Sequence, residues 1–467
     1  MALTPDNWLD RLASKMDLRS TRIANLRSYI DGDAPLPEGA EGCRDTYKDF
    51  QRKARTNFGE LVVEAVVERM VVSGFTIEAS EINDTAESKA KESDDDQCRM
   101  IWKRNRLQIG ISDVLRDMIG VGSGYVIVGQ DDNGKAVITC ERPEQVITEQ
   151  DAEYPIETIA ALKVYRDFVN EYDVAFLHLP GYVYTYIRPF RNQPGSPEVR
   201  AYLVRGGWQF VEQNETGLNF VPVFPFLNRG GLGEFESHID VLNRINWDIL
   251  QRLVITAMQA FRQRAIKGDI SSEDADGKAI DYRDMFKPGA GNLWQLPEGV
   301  ELWESQETDI TAILEATKDD IRHLAAVTRT PMSTLIPDSA NQSAEGASAA
   351  REGLVFKAAE RVTRASAPLA RVMEAALAIE NGTSKIDGTV EILWLPVERQ
   401  SLAERADAAT KVSNIVPWRT VMTDFLQFSA DRVDDMEQER TTDALMTSLA
   451  LPLSAPTAIA PVPAANA

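Results

Sequence analysis

The segment GQDDNGKA, residues Gly129–Ala136, has the glycine and lysine spacing of a phosphate-binding loop. In such a loop the backbone N–H groups and the lysine hold phosphate, and a final hydroxyl binds Mg²⁺. Here Ala136 lacks that hydroxyl, and Asp131 and Asp132 would repel phosphate. The residues that follow, AVITC, are typical of a strand, whereas the motif must open a helix. The central Asn-Gly pair accepts positive φ, so we predict a hairpin turn here.

Two further segments resemble binding loops only in part. GVGSGYVIV, residues Gly120–Val128, is glycine-rich, but a helix precedes it and a strand follows, which reverses the order of a dinucleotide loop. SEDADGKAIDYR, residues Ser272–Arg283, places Asp274 and Asp276 at ligand positions of a calcium loop. Its twelfth residue is an arginine, where that loop requires a bidentate glutamate. We therefore predict a flexible helix-to-strand connection and an acidic turn.

The histidines and cysteines show no metal-binding or nucleophilic arrangement. They are His178, His238, His323, Cys43, Cys98 and Cys140. None has a partner at motif spacing, so we expect hydrogen-bonding or surface roles for the histidines, and no metal and no cofactor. Scattered cysteines in an odd number form no disulfide framework and suit a reducing cytoplasm. Carboxylates are abundant enough that some pair must meet in space, but the sequence does not identify that pair.

Composition and charge exclude several classes of protein. The 467 residues allow two to four domains or one large subunit, and 43% of them are apolar, as in ordinary soluble globular proteins. The formal net charge is -22, from 50 basic and 72 acidic residues. Such a chain does not coat nucleic acid, because the phosphate backbone favours positive charge, although it could guide DNA without gripping it. The most apolar stretch, Leu61–Phe75, is interrupted by charged residues, so we predict no membrane span.

The elements that must position any functional residue begin with helices and continue with strands. Apolar spacing predicts helices over Asn7–Gly32, Tyr47–Phe75 and Cys98–Gly124, the second breaking near Ser73. Residues 125–225 contain strand-like runs bounded by Gly, Pro, Asn or Asp, which indicate an antiparallel β region. The predicted fold class is therefore α+β, mainly α.

Beyond the β region the chain is again predicted to be mainly helical. The predicted parts are a long helix within Glu234–Gly268, a polar excursion over residues 268–305, a helix within Thr308–Thr330 that stops at Pro331, a strand at Gly388–Val397, and a helical C-terminal piece. Thr308 or Asp309 is expected to cap the start of the second of these helices. A Pro/Ala-rich tail ends the chain.

A polar loop beginning at Pro337 leads into the longest predicted helix. Residues Ser339–Ser348 are almost all small or polar, and Glu345 is their only charge. Further along the helix, Glu360 and Arg364 have the spacing of a favourable i,i+4 ion pair. Pro368 lacks an N–H group and crowds the preceding turn, so we predict a kink there.

Five local sequences occur in an informative order. They are LRSYIDGDAPLP (Leu26–Pro37), RTNFGELVVEAVVERMVVSGF (Arg55–Phe75), FRQRAIKG (Phe261–Gly268), TRTPMSTL (Thr328–Leu335) and NQSAEGASAAREGLVFKAAERV (Asn341–Val362). No single one is diagnostic. Together with the order of helices and strands, to about residue 450, they resemble the portal proteins of tailed bacteriophages, most closely those of siphophages of actinobacteria.

The resemblance implies a portal fold with wing, stem, clip and crown around a central channel. The implied segments are a wing over residues 1–234, a stem helix over 235–262, a clip over 263–306, a second stem helix over 307–335, a tunnel loop over 336–346, a long kinked helix over 347–380, a returning wing strand over 381–400, a crown over 401–450 and a disordered tail over 451–467. The tunnel loop would face DNA through Pro337, Asp338, Ser339, Ala340, Asn341, Gln342, Ser343, Ala344, Glu345 and Gly346. Trp294 and Trp303 would lie on the contact surface of the clip.

The resemblance also implies a function in assembly rather than catalysis. Identical subunits, normally twelve, would form a ring at one capsid vertex of the virion, after assembly in the cytoplasm of the host bacterium. Double-stranded DNA would pass through the ring non-specifically during packaging and ejection. The implied protein partners are the major capsid protein, the terminase large subunit and the head–tail adaptor, and no membrane is involved.

Two other functions stay open on the sequence. One is a nucleotide-dependent enzyme that processes nucleic acid, for which ATP hydrolysis lost on Lys135→Ala would be the sign. The other is a different head component of a virion, such as a capsid or minor head protein, which the stoichiometry of the ring would distinguish.

Overall fold

A computed structural model describes most of the chain and shows a mixed α+β protein that is mainly helical. The described residues are 3–37, 45–77, 96–190, 204–260, 264–268, 301–304, 309–336, 344–383, 390–398, 402–428 and 430–450. Two compact units are present. The first comprises Met1–Thr21, Ala65–Leu232 and Leu354–Ala467, and the second comprises Arg22–Glu64 and Gly233–Gly353.

The N-terminal helices differ from the prediction at one point. The elements are α1 (Pro5–Ile30), α2 (Asp45–Ala54), α3 (Phe58–Val67) and strand β1 (Val72–Ile77). The first helix is confirmed, but the single helix predicted over Tyr47–Phe75 is wrong. It is interrupted at residues 55–57, where the N–H and hydroxyl groups of Thr56 donate to Asn246 Oδ1 at 3.0 and 2.7 Å. Its C-terminal end is instead strand β1, whose β-branched residues suit a sheet.

The helix predicted over Cys98–Gly124 is also divided. Residues 96–104 form helix α4, and Leu107–Val121 form α5. Arg106 between them has a left-handed φ of 51°. Gly122 ends α5 with a φ of 92°, and a Cβ there would lie 2.2 Å from the carbonyl oxygen of Gly231. Only glycine fits both the conformation and the close approach, so the chain passes from helix to strand at this residue.

Two antiparallel sheets confirm the predicted β region. The strands are β2 (Ser123–Gln130), β3 (Ala136–Glu141), β4 (Val146–Gln150), β5 (Thr158–Asp167), β6 (Tyr172–Leu179), β7 (Tyr182–Pro189), β8 (Gln209–Glu215) and β9 (Val223–Leu227). The order is β3-β2-β9 in the three-stranded sheet and β4-β5-β6-β7-β8 in the five-stranded sheet.

The five-stranded sheet packs one face against the start of α1. The shared core contains Leu9, Leu12, Ala13, Met16, Ile147, Ala160, Leu162, Val164, Ala175, Leu177, Tyr186 and Val204. Beside it, Arg188 donates to Asp173 at 3.1 Å and to the carbonyl oxygens of Val204 and Gly206 at 3.0 Å. Asp173 and Arg188 are fully buried, so this ion pair is stabilising only because its hydrogen bonds are satisfied.

The remaining elements follow the predicted order. They are α6 (Ile239–Ala260), β10 (Arg264–Lys267), β11 (Glu301–Glu304), α7 (Thr311–Thr328), α8 (Ala344–Glu380), β12 (Val390–Trp394), α9 (Leu402–Val412) and α10 (Ala430–Ala450). The helix predicted within Glu234–Gly268 ends earlier than expected, because Arg264–Lys267 pair with Glu301–Glu304 as antiparallel strands. Strand β12 pairs with β1.

Helix α8 has 37 residues and continues through Pro368. The predicted ion pair between Glu360 and Arg364 is present. The kink at Pro368 stays a prediction. The C-terminal piece is helical, but it is broken at Pro417, before which the backbone avoids the helical conformation.

Candidate functional site

The expected channel-facing loop starts from a well-defined root at the end of α7. Arg329 turns the chain with a left-handed φ of 52°, and the Thr330 N–H donates to the Ala325 carbonyl at 2.9 Å. The Thr328 hydroxyl donates to the Leu324 carbonyl at 2.7 Å. A helical turn, Met332–Leu335, follows. These bonds fix the direction in which the chain enters the loop.

The second root of the loop is the start of α8, which differs from the predicted boundary. The helix begins at Ala344, so Ala344, Glu345 and Gly346 are helical rather than part of the loop. Alanine and glutamate are strong helix formers, which explains the earlier start. The other expected loop residues lie outside the described part of the chain: Pro337, Asp338, Ser339, Ala340, Asn341, Gln342 and Ser343.

The first turns of α8 pass close to the end of α7. A Cβ on Gly353, in the third turn of α8, would lie 3.9 Å from the Cβ of Arg329 at the end of α7. Both residues belong to the second unit.

Helices α6 and α7 pack together and share a cluster of charged groups. Arg244 donates to Asp320 through Nε and Nη2 at 2.7 Å each, and His323 Nδ1 lies 3.7 Å from the same carboxylate. Burial raises the pKa of Asp248, and the neighbouring charge of Asp320 raises it further. Burial alone would raise the pKa of Asp320, but the hydrogen bonds from Arg244 outweigh it and lower that pKa.

The Asp248–Asp320 pair is one of the carboxylate pairs that the sequence implied without identifying. The two residues lie on different helices, and no local motif marks either one. Such a pair becomes visible only when the packing of α6 on α7 is known.

The first half of α6 is held by polar contacts with the N-terminal helices. The Tyr29 hydroxyl donates to Asn243 Oδ1 at 2.6 Å. Arg22 Nε donates to Glu236 at 2.5 Å, just before α6 begins. Burial raises the pKa of Tyr29, which therefore stays a hydrogen-bond donor at neutral pH. These contacts, with the Thr56–Asn246 bonds, fix the start of α6 relative to α1 and α3.

The strand pair β10–β11 lies in the segment expected to form the clip. Trp303 is opposite Ala265 in the register and is 54% exposed. Exposed tryptophan is typical of contact surfaces. Trp294 lies outside the described residues, and so does the acidic segment Ser272–Arg283.

The phosphate-loop-like segment forms the predicted hairpin turn. Asp131 Oδ1 accepts the N–H groups of Asn133 and Lys135 at 2.9 and 2.7 Å, and Gly134 has a φ of 78°. The hydrogen bond from the Lys135 backbone lowers the pKa of Asp131. Lys135 Nζ lies 3.5 Å from Glu380. The lysine and the backbone N–H groups are thus used within the protein rather than facing a phosphate.

The environments of His178, Cys98 and Cys140 are those of buried or partly buried side chains. Burial, with Lys163 nearby, lowers the pKa of His178 to about 4, so this histidine is neutral. Cys98 and Cys140 are free thiols, and burial raises the pKa of Cys140 to about 12, which makes it unreactive. Among the described residues no group of His, Cys, Asp or Glu is arranged to hold a metal ion. Cys43 lies outside those residues.

The side chain of Glu380 connects the end of α8 to the β2–β3 hairpin, a role that the sequence did not indicate. Its carboxylate accepts an ion-pair hydrogen bond from Arg104 and the Ala136 N–H at 3.1 Å, and it is only 4% exposed. Burial alone would raise the pKa of Glu380, but these hydrogen bonds lower it. The end of the long helix is therefore fixed to the three-stranded sheet.

Comparison with known families decides which protein class this architecture belongs to. Residues 9–444 match the model of one family, described as "Phage portal protein, SPP1 Gp6-like". The chain belongs to this family. It is therefore a portal-family component of a virion, with a structural rather than an enzymatic role. No curated protein gave a significant match to the chain.

Solved structures give a more distant likeness. A chain in the "Virion of native gene transfer agent (GTA) particle" is 13% identical, with a TM-score of 0.44; the match covers 86% of this chain and 97% of that one. A chain in the "Neck of native GTA particle computed with C12 symmetry" is also 13% identical, with a TM-score of 0.45, and the match covers 87% and 98% of the two chains. Within the described part of the portal chain, no helix combines the length and apolarity needed to cross a bilayer.

Proposed function

We propose that this portal-family protein forms a ring, of twelve subunits, at one capsid vertex. The ring is the channel through which the genome is packaged and ejected, and it is the docking site for the terminase large subunit and the head–tail adaptor. The observation that carries the proposal is the family match over residues 9–444, which spans strands β1–β12 and helices α2–α9.

The segment from Ile336 to Gly346 supports a DNA-conducting role through its composition. A channel loop must touch a sliding duplex without holding it, because every strong contact must break as the DNA advances. The segment has small or amide side chains, no Lys or Arg, and two acidic residues, Asp338 and Glu345. Since DNA affinity grows with the number of phosphates that cations neutralise, this composition favours weak, sequence-independent contact.

The roots of the segment support the same role. Helices α6 and α7 are packed together, the turn at Arg329 ends α7 before the loop, and the third turn of α8 approaches that turn at Gly353. A loop between these helices suits a position at a central channel. We place α6 and α7 in the stem around the channel and the β10–β11 pair in the clip.

The partners follow from this placement. Trp303, half-exposed on β11, belongs to the clip surface that docks the packaging motor and later the adaptor. The wing, made of the N-terminal helices and the two sheets, contacts the major capsid protein. In this proposal a separate terminase ATPase supplies the energy for packaging, and the hairpin conformation of Gly129–Ala136 agrees with that division.

The role of the loop is tested by making it bind DNA more strongly. The variant Asn341→Lys with Gln342→Lys adds two cations to each subunit, and we expect fewer DNA-filled heads at unchanged ring assembly. The matched control, Asn341→Ser with Gln342→Ser, keeps the loop neutral and should fill heads normally. Normal filling by the lysine variant would contradict a DNA-facing position for this loop.

A further inference from the structure

A groove in the first compact unit contains an arginine whose buried Nε atom has no hydrogen-bond partner among the described residues. The groove, of about 390 Å³, lies between the β4–β5 connection, the β6–β7 turn, the segment before β9 and helix α8. Its lining includes Ile156, Thr158, Pro180, Phe220, Phe224 and Arg371, and we name it the Arg371 groove. The walls are mixed, with Glu157, Thr158 and Asn219 beside the apolar residues, so the groove suits a segment that combines an apolar side chain with one negative charge.

The Arg371 side chain is the unusual feature of this groove. Its Nε atom is buried and has no hydrogen-bond partner among the described residues. Glu157 also lines the groove, but the two side chains form no ion pair in the described structure. An unsatisfied buried donor is unfavourable, and a guanidinium group is satisfied best by a carboxylate or a phosphate.

A complementary surface lies at the other end of the same sheet. The turn between β5 and β6, residues 167–171, exposes 67% of Phe168 and 90% of Val169. Glu171 follows them, is exposed, and has no ion-pair partner among the described residues. We name residues 167–171 the hairpin tip. It offers the exposed side chains of Phe168, which also packs edge-on against Phe190, and Val169 next to an exposed carboxylate. This carboxylate can supply the counter-charge for Arg371.

The length of β5 separates the groove from the tip. Thr158, at the start of this ten-residue strand, lines the groove, and Asp167, at its end, begins the tip. At about 3.3 Å per residue the two surfaces are about 30 Å apart. The tip of one copy therefore cannot reach its own groove. Two complementary surfaces at opposite ends of one unit are what a head-to-tail interface between copies requires.

We infer that the hairpin tip of one subunit docks into the Arg371 groove of the next subunit, with Glu171 paired to Arg371 across the interface. The inference rests on the proposed ring and names a contact that joins neighbouring copies. DNA fits the groove less well, since one arginine beside Glu157 offers a phosphate backbone little positive charge, whereas duplex binding requires several cations.

A charge exchange tests the contact directly. Arg371→Glu or Glu171→Arg alone places like charges together, and each should lower the fraction of ring measured by sedimentation about tenfold or more at a fixed protein concentration. The double variant, Arg371→Glu with Glu171→Arg, should restore rings. Glu171 has a left-handed φ of 60° that arginine shares at equal cost, so the exchange does not alter the turn.

Matched controls separate this contact from general effects of charge. Arg142→Glu and Asp132→Arg change exposed residues of the same unit outside both surfaces, and both should assemble normally. Rings from the wild-type chain and from both single variants at equal yield would overturn the contact while leaving the ring intact. Loss of rings in the single variants without recovery in the double variant would also overturn it. A wild-type chain that forms no rings would instead overturn the proposed function.

Discussion

The five-stranded sheet and the α6–α7 helix pair both contain charged clusters, but they place them in opposite environments. In the sheet, the side chains of Asp173 and Arg188 are 0% and 1% exposed, so the ion pair between them is shielded from solvent. In the helix pair, Arg244 is 51% exposed where it meets Asp320. The buried pair is rigid and costly to break, whereas the hydrated pair is adjustable and contributes little. We infer that the sheet acts as a fixed scaffold and the helix pair as the part that tolerates change.

The largest effect is expected in the sheet. Asp173→Ala leaves Arg188 buried without its counter-ion and should lower the free energy of unfolding by about 3–5 kcal/mol. The control, Asp407→Ala, breaks the exposed pair with Lys411 and should change it by less than about 0.5 kcal/mol. Urea unfolding followed by circular dichroism measures both. Equal effects of the two variants would contradict the expected difference between the buried and the exposed ion pair.

The free energy of unfolding should also decrease in acid because of His178, which lies on β6 of the sheet. Burial lowers the pKa of His178 from 6.5 to about 4, so below pH 6.5 the unfolded chain binds a proton that the folded chain excludes. Stability should therefore fall as the pH drops from 6.5 towards 4, by up to about 3 kcal/mol from this group. His178→Leu should reduce that loss. Urea midpoints at pH 7 and pH 4 give the comparison.

Glu380 is an intermediate case, because its buried carboxylate meets half-exposed cations. Glu380→Gln should lower the free energy of unfolding by about 2 kcal/mol at pH 7, since it weakens charge-assisted hydrogen bonds with Arg104 and the Ala136 N–H. The lowered pKa of Glu380 means that its contribution is full above the unfolded value of 4.5 and is lost as the pH falls through the folded pKa. The gap between wild type and variant should therefore narrow progressively as the pH falls below 4.5. A gap that does not narrow as the protein is acidified would contradict the ion-pair explanation.

The smallest effect is expected in the helix pair. Burial and Asp320 raise the pKa of Asp248, so its ionised form is disfavoured in the fold and stability decreases as the pH rises through that pKa. Asp248→Asn removes the repulsion and should stabilise the protein by about 0.5 kcal/mol or less at pH 7, with no gain at pH 3. Thermal unfolding at the two pH values distinguishes this from a packing effect, which would not depend on pH.

Local chemistry made some of these elements predictable. The hairpin at Gly129–Ala136 was predicted because Asp-Asn-Gly fixes a turn within a few residues. The helix over Tyr47–Phe75 was mispredicted, because the bonds of Thr56 to Asn246 and the pairing of β1 with β12 depend on residues far along the chain. Sequence periodicity carries no information about such partners.

The functional surfaces show the same limit. The prediction of a DNA-facing loop from Pro337 rests on the resemblance to portal proteins and on a composition without Lys or Arg, neither of which requires a tertiary contact, and it stays a prediction. The Asp248–Asp320 pair, the position of Glu380 and the Arg371 groove arise from packing between distant segments, so no motif could reveal them. The sequence prediction started α8 at residue 347, three residues later than the observed start at Ala344. The predicted loop was bounded by its polar composition, but the strong helix formers Ala344 and Glu345 extend the helix into it.

The ring itself is the central claim, and the mass and shape of the purified protein test it most directly. Native mass measurement and negative-stain imaging of the same sample should show a closed assembly of twelve subunits with a central opening wide enough for a DNA duplex. Monomers under all conditions, or compact assemblies without an axial opening, would contradict the account.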